Sequence, residues 1–261
     1  MTMALPEYST LLLARHGRRL TITLNRGDAL NAFDKVMHDE LPTALEFARD
    51  DAHSDVIVLT GAGRAFSAGG DFEHIAANAT QPERFDHEMA MAKRIVLALL
   101  DTDKPVICRM NGHAVGLGAT IALLCDIIYA DEKAKIGDPH VLIGLAAGDG
   151  GALIWPQRIG LTRAKEFLFT GDLIRAPEAV SIGLINKALP SDALDQAVDH
   201  LAQRLLGLPQ MALRATKRLT NLELKRLADS LLDKGMGWES ETVRSPEHRS
   251  AIAAMRKAQG G

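Results

Sequence analysis

The sequence is poor in cysteine, in aromatic residues and in charge of one sign. Its two cysteines, Cys108 and Cys125, lie in apolar runs (PVICRM and ALLCDII) without CxxC spacing. That excludes a disulfide framework or a thiolate metal knuckle and leaves two small buried hydrophobes. Thirty Lys and Arg against 33 Asp and Glu give a formal net charge of −3, with both signs mixed along the chain. No basic nucleic-acid surface and no polybasic membrane patch is indicated. The N-terminal MTMALPEYSTLLLARHGRR has no basic region ahead of a long apolar core, and the longest apolar runs are too short to span a bilayer. A cytoplasmic, reduced protein is expected. Aromatics at 4%, hydrophobic residues at 47% and charged residues at 24% describe an ordinary soluble chain rather than a disordered or fibrous one. No low-complexity tract or solenoid-period repeat is present.

What the chain does have is alternation of strand-like and helix-like segments, enough for a large α/β core. LTITLN (20–25) alternates and is rich in β-branched residues, and DVIVLT (55–60), PVICRM (105–110) and DIIY (126–129) are short apolar runs suited to buried strands. Between them, 34–49 and 84–100 carry apolar residues at helical spacing. From Gly150 onward the pattern is helical. Thr162 is a candidate N-cap with Gly171 past the helix end, Ser191 can cap the next helix, Pro209 separates it from the following ones, and Ser245-Pro246 opens the last. Residues 1–194 read as the core and 195–261 as a helical C-terminal region.

Glycine is concentrated in three places. GAGRAFSAGGD (61–71) follows the second strand, and NGHAVGLGA (111–119) follows the third and runs into a helix, where free amides and the positive end of the helix dipole suit an anion. Neither is a GxGxxG fingerprint or a Walker A loop. The segment 137–151 sets Asp138, His140 and Asp149 among glycine and apolar residues. Asp138, directly before Pro139, reads as a turn former; His140 and Asp149 are candidate acid–base groups. No metal site is expected, because His113, His140 and the acids show no paired ligand spacing.

The order and spacing of NRGDALNAF (25–33), GRAFSAGGDF (63–72), PVICRMNGHAVGLGATIALLCDIIYADEKAKIGDP (105–139) and WPQRIGLTRAKEFLFTGDLIRAPEAVSIGLINKAL (155–189) resemble the crotonase, or enoyl-CoA hydratase/isomerase, superfamily. The resemblance implies an α/β spiral of ββα repeats followed by a helical oligomerisation region that builds homotrimers or hexamers. It implies an oxyanion hole from the amides of Gly70 and Leu117, holding the enolate oxygen of a thioester or β-dicarbonyl; such donors are commonly worth about 3–4 kcal/mol each. No separate cofactor is implied, coenzyme A being part of the substrate. Asp28, Ala68, Asp71 and Phe72 stand nearest its expected path, although Glu73 stands where hydratases often carry lysine.

The sequence departs from the hydratase pattern at both catalytic glutamates. Thr120 stands at the first position and His140 at the second. Since acid–base groups contribute about 10²–10⁴-fold each, ordinary crotonyl-CoA hydration should be impaired. His140 with Asp149 instead resembles the superfamily's β-diketone C–C hydrolases, which use retro-Claisen chemistry. His113 lies in the loop where those enzymes carry a further histidine, and Glu239 and Glu241 read as surface residues of the tail. An isomerase or lyase reaction on the same pair, a residual hydratase, and a degenerate acyl-CoA-binding or assembly subunit are the competing readings.

Overall fold

The computed structural model describes residues 4–78 and 80–259. A hairpin opens it, β1 (Leu11–His16) and β2 (Arg19–Leu24), turned at Gly17 with φ +60°. Next come α1 (Lys35–Asp50), β3 (Val56–Gly61), β4 (Ala65–Ser67), α2 (Phe72–Asn78) and α3 (Pro82–Asp101). Then follow β5 (Val106–Met110), β6 (His113–Val115), α4 (Leu117–Leu124), β7 (Ile127–Asp131), β8 (Lys135–Gly137) and α5 (Gly151–Ile159). The chain continues through α6 (Leu161–Thr170), β9 (Ile174–Arg175), α7 (Ala176–Ser181), β10 (Lys187–Leu189), α8 (Ser191–Leu206), α9 (Gln210–Val243) and α10 (Pro246–Gln259). None of the helices among the described residues is long and apolar enough to cross a membrane.

The strands form a six-stranded sheet, β1-β2-β3-β5-β7-β10, and a four-stranded sheet, β4-β6-β8-β9. Each of β3, β5 and β7 in the larger sheet hands the chain to β4, β6 or β8 in the smaller one before helical structure follows, which is the ββα repeat that the resemblance implies. Local pattern explains the strands. LTITL alternates because β2 shows one face to the core, Leu20, Ile22 and Leu24 being fully buried. VIVLTG does not alternate because β3 is parallel to both neighbours and covered on both faces.

Ile57 and Leu59 of β3 face the main core with α1 and α3, whereas Val56 and Val58, with Ile107 and Tyr129, face α8. Leu194, Val198, Ala202 and Leu205 of α8 cover that side. The tail is therefore not an appendage: the boundary expected at 194/195 falls inside α8, and Ala228, Leu232, Met236 and Val243 of α9 belong to the main core. Of the leucines in the tail, Leu194, Leu205 and Leu232 are buried within the chain, while Leu222 and Leu231 stay exposed.

Capping differs in detail from expectation. Asp34 caps α1, its side chain accepting from Met37 N at 2.9 Å, and Ser245 Oγ accepts from His248 N at 3.0 Å at the start of α10. The helix assigned to a Thr162 cap begins earlier, at Leu161 after Gly160, and ends at Gly171 in the left-handed region (φ 71°). Ser191 is already the first residue of α8, and its hydroxyl donates to Asp131.

Candidate active site

β4, β6 and β8 lie side by side and parallel, so the segments that follow them emerge together at one edge of the small sheet. These segments are the Ala68–Asp71 loop, Gly116 with the start of α4, and the Asp138–His140 turn. Their packing needs glycine: a Cβ on Gly69 would lie 2.7 Å from Val115 O. Gly70 forms an isolated parallel bridge with Phe33, in which Phe33 N donates to Gly69 O (2.7 Å) and Asp71 N donates to Phe33 O (3.0 Å). Bonding through 69 and 71 turns the N–H of Gly70 to the opposite side, away from Phe33. Leu117 opens α4, where amides have no partner in the preceding turn. The two expected oxyanion donors thus sit on adjacent segments, with the Gly70 N–H turned away from its bridge to Phe33.

His140 stands beside them, its ring under 4 Å from where a Cβ on Gly116 would be. Its Nδ1–H donates to Asp138 Oδ1, which also receives the backbone N–H of His140 at 3.4 Å. The Asp138 carboxylate is thus both a turn-former and the group that fixes the imidazole, and the reading of it as a turn residue alone is corrected. Nε2 faces Asp149 Oδ2 at 3.6 Å and Glu239 Oε1 at 3.7 Å, neither close enough for a direct hydrogen bond. Asp138, Asp149 and Glu239 are 1–2% exposed.

Glu239, taken from sequence for a surface residue, is therefore part of this cluster. It arrives because α9 crosses the loop before α5 at very close range: a Cβ on Gly148 would lie 2.1 Å from Gly235 O. Any side chain there would push α9 and Glu239 away. Glu241 is exposed, as read. His113 is at the start of β6, exposed, its Nδ1 accepting from Lys135 N at 3.0 Å, and so is engaged away from His140. Thr120 is fully buried on α4 and its hydroxyl donates to Asp149 Oδ1 at 3.5 Å.

Burial alone would lower the pKa of His140, but the charges of Asp138, Asp149 and Glu239 outweigh it and hold the imidazole well above its ordinary value. Burial raises Asp149, partly opposed by His140. Burial and the Asp149 charge push Glu239 well above the usual carboxyl range. The protonation of these three groups is therefore coupled, each charge acting on the others across a buried site. Asp138 takes Nδ1 of the His140 ring while Asp149 faces Nε2 on its other side.

A cavity of about 520 Å³ opens onto His140. Ala68, Gly70, Phe72 and Ile75 line one wall, Leu142 and Ile143 another, and Ile252 and Met255 of α10 complete it. Among the described residues, His140 is the only ionisable one lining it. His248 fixes α10 there, its Nδ1 donating to Ile143 O at 2.6 Å. Asp149 and Leu117 stand behind the lining. The other residues named for substrate lie apart. Asp71 pairs with Arg26 (3.3 Å), and exposed Asp28 lines a separate groove of about 870 Å³ formed by 25–29 and 62–64.

Comparison with known proteins gives a consistent picture. The enoyl-CoA hydratase/isomerase family model matches residues 18–254. Crotonyl-CoA hydratase of Syntrophomonas wolfei is 32% identical over 216 residues, 82% of each chain. An enoyl-CoA hydratase/isomerase structure from Mycobacterium paratuberculosis superposes with a TM-score of 0.90 at 37% identity, covering 94% of this chain and 98% of that one. A β-diketone hydrolase from Anabaena, bound to (S)-3-oxocyclohexyl acetic acid, superposes with a TM-score of 0.85 at 31% identity, covering 93% and 98%.

Proposed function

The chain belongs to the enoyl-CoA hydratase/isomerase family, and from that premise we propose that it hydrolyses the C–C bond of a β-dicarbonyl compound. The observation that carries the reading is the His140 cluster: an imidazole fixed at Nδ1 by Asp138, with Nε2 facing two buried carboxyl groups at the end of an apolar cavity. Separations of 3.6 and 3.7 Å leave Nε2 without a direct hydrogen bond to either carboxyl, and a water arriving from the cavity would find it available as an acceptor. In its neutral form, His140 takes a proton from that water as the water oxygen bonds to one carbonyl carbon. The C–C bond then breaks, its electron pair passes to the second carbonyl as an enolate, and the first carbonyl becomes a carboxylic acid. Asp149 or the imidazolium returns the proton to the enolate carbon. Substrate plus water equals product, with no net redox change. The amides of Gly70 and Leu117 would hold the oxyanion, as in the family expectation.

The superposable Anabaena β-diketone hydrolase supports this reading. So does the assignment of Thr120 and His140 to the hydratase glutamate positions, because threonine is no base near neutral pH. An acyl-CoA thioester could use the same oxyanion hole, and the hydratase relatives favour that second reading. The test is a panel of cyclic 1,3-diketones and enoyl-CoA thioesters followed by mass spectrometry in ¹⁸O-water. The expected result is a keto acid carrying one ¹⁸O from solvent, with weak crotonyl-CoA hydration. Crotonyl-CoA turnover at about 10²–10³ per second with no diketone cleavage would overturn the assignment.

A further inference from the structure

A second buried cluster lies where α1, α2 and α3 meet, outside the catalytic cavity. His38 of α1 is 4% exposed, Glu88 of α3 is 5% exposed, and His74 of α2 stands against both. One donor atom from each of the three lies within 4.8 Å of the others. We propose that His38, His74 and Glu88 bind a divalent transition cation of the zinc class.

Four features support this. First, His38 Nδ1 is committed to the Asp34 carbonyl at 2.9 Å, which makes Nδ1 the protonated nitrogen and leaves Nε2 as a lone-pair donor. A backbone partner on the second ring nitrogen is the usual support of a ligating histidine. Second, His38 is buried, so its ring is shielded from competing bulk water. Third, His74 Nε2 is 2.6 Å from Glu88 Oε1 yet makes no hydrogen bond, and it is buried. A close but misaligned contact between two donors is expected when each points towards a shared third position. An ion with ligands at about 2.0–2.2 Å would separate them modestly. Fourth, Asn78 Nδ2 donates to both Glu88 oxygens at 2.9 Å, holding the carboxylate in place.

An access route exists, since His74 and Glu88 also line a surface pocket of about 170 Å³. Through it a water could serve as fourth ligand. The cation would tie α2 to α1 and α3. Because α2 follows directly on Gly70 and supplies Phe72 and Ile75 to the catalytic cavity, loading should brace the oxyanion loop.

The test uses the full-length protein, stripped with chelator and titrated with Zn²⁺ by calorimetry and with Co²⁺ by visible absorption. The expected result is one equivalent bound, a tetrahedral Co²⁺ spectrum and a raised Tm that chelator reverses. His74→Ala and Glu88→Gln should each weaken binding at least a hundredfold, while His140→Ala, in the other histidine–carboxylate cluster, leaves it unchanged. Circular dichroism establishes that the variants are folded; if His74→Ala does not fold, Glu88→Gln, nearly isosteric, decides alone. Absence of Zn²⁺ and Co²⁺ binding by the wild type overturns the proposal. So does binding that survives Glu88→Gln, or that disappears with His140→Ala.

Discussion

Asp138→Asn separates the role of Asp138 as a turn former from its role on His140. The substitution keeps size and can still accept from the backbone N–H of His140, so the turn should persist. What it removes is a charge, 1% exposed, placed on Nδ1. Asparagine can donate to Nδ1 as well as accept from it, so the tautomer with a lone pair at Nε2 is no longer enforced. Efficient acid–base catalysis is worth about 10²–10⁴-fold, and a tenfold change corresponds to about 1.4 kcal/mol of barrier. The expected loss in kcat is therefore about 10²–10⁴, or roughly 3–5.5 kcal/mol, with KM little altered because Asp138 does not line the cavity. The histidine limb of the pH–rate profile should also move to lower pH. Burial, which lowers His140, would then be opposed only by Asp149 and Glu239. Steady-state kinetics on a cleaved 1,3-diketone, with calorimetric affinity for its product, provides the measurement. A kcat within about threefold of wild type, with an unmoved pH limb, would refute the role assigned to Asp138.

Asp149→Asn and His140→Ala should each lower kcat far more than they alter product affinity, and the double variant should be little worse than either, as for members of one catalytic unit; independent, multiplying losses in kinetics would show separate roles. Glu239→Gln should affect stability in a pH-dependent way. A folded pKa raised by burial stabilises the protein below the unfolded carboxyl value and loses that stability as pH rises through the folded value. The variant should therefore gain stability relative to wild type as pH rises, by about 1–3 kcal/mol, and scanning calorimetry showing a Tm difference that stays constant with pH would contradict this. Exposed Leu142, Leu161, Phe169, Leu222 and Trp238 leave apolar surface to cover; light scattering at low micromolar concentration should show a trimer or hexamer, and only monomer would count against it.

Local sequence pattern was enough to specify the strands and the loops between them. Alternation in LTITL, the unbroken apolar run of VIVLT and the glycine loops placed the strands and the loops in order, and Gly69 marked where backbone had to come close. His140 and Asp149 were legible because polar groups stood out against a glycine-rich apolar segment. Tertiary structure decided what depends on convergence. Asp138 before Pro139 has the composition of a turn in any fold, and only the position of the His140 ring shows it to be an imidazole partner. His38, His74 and Glu88 lie on different helices, with no spacing to connect them. The tail leucines repeat at helical period whether a helix covers its own sheet or a neighbouring subunit, and α8 takes the first course through Leu194, Val198 and Leu205. Glu239 carries no local signal at all: it is one acid on a long helix, brought to His140 because two glycines, 148 and 235, let the α9 backbone cross the loop at van der Waals distance. Periodicity is a property of neighbours in sequence, whereas a catalytic cluster is fixed by crossings between segments that are far apart in it.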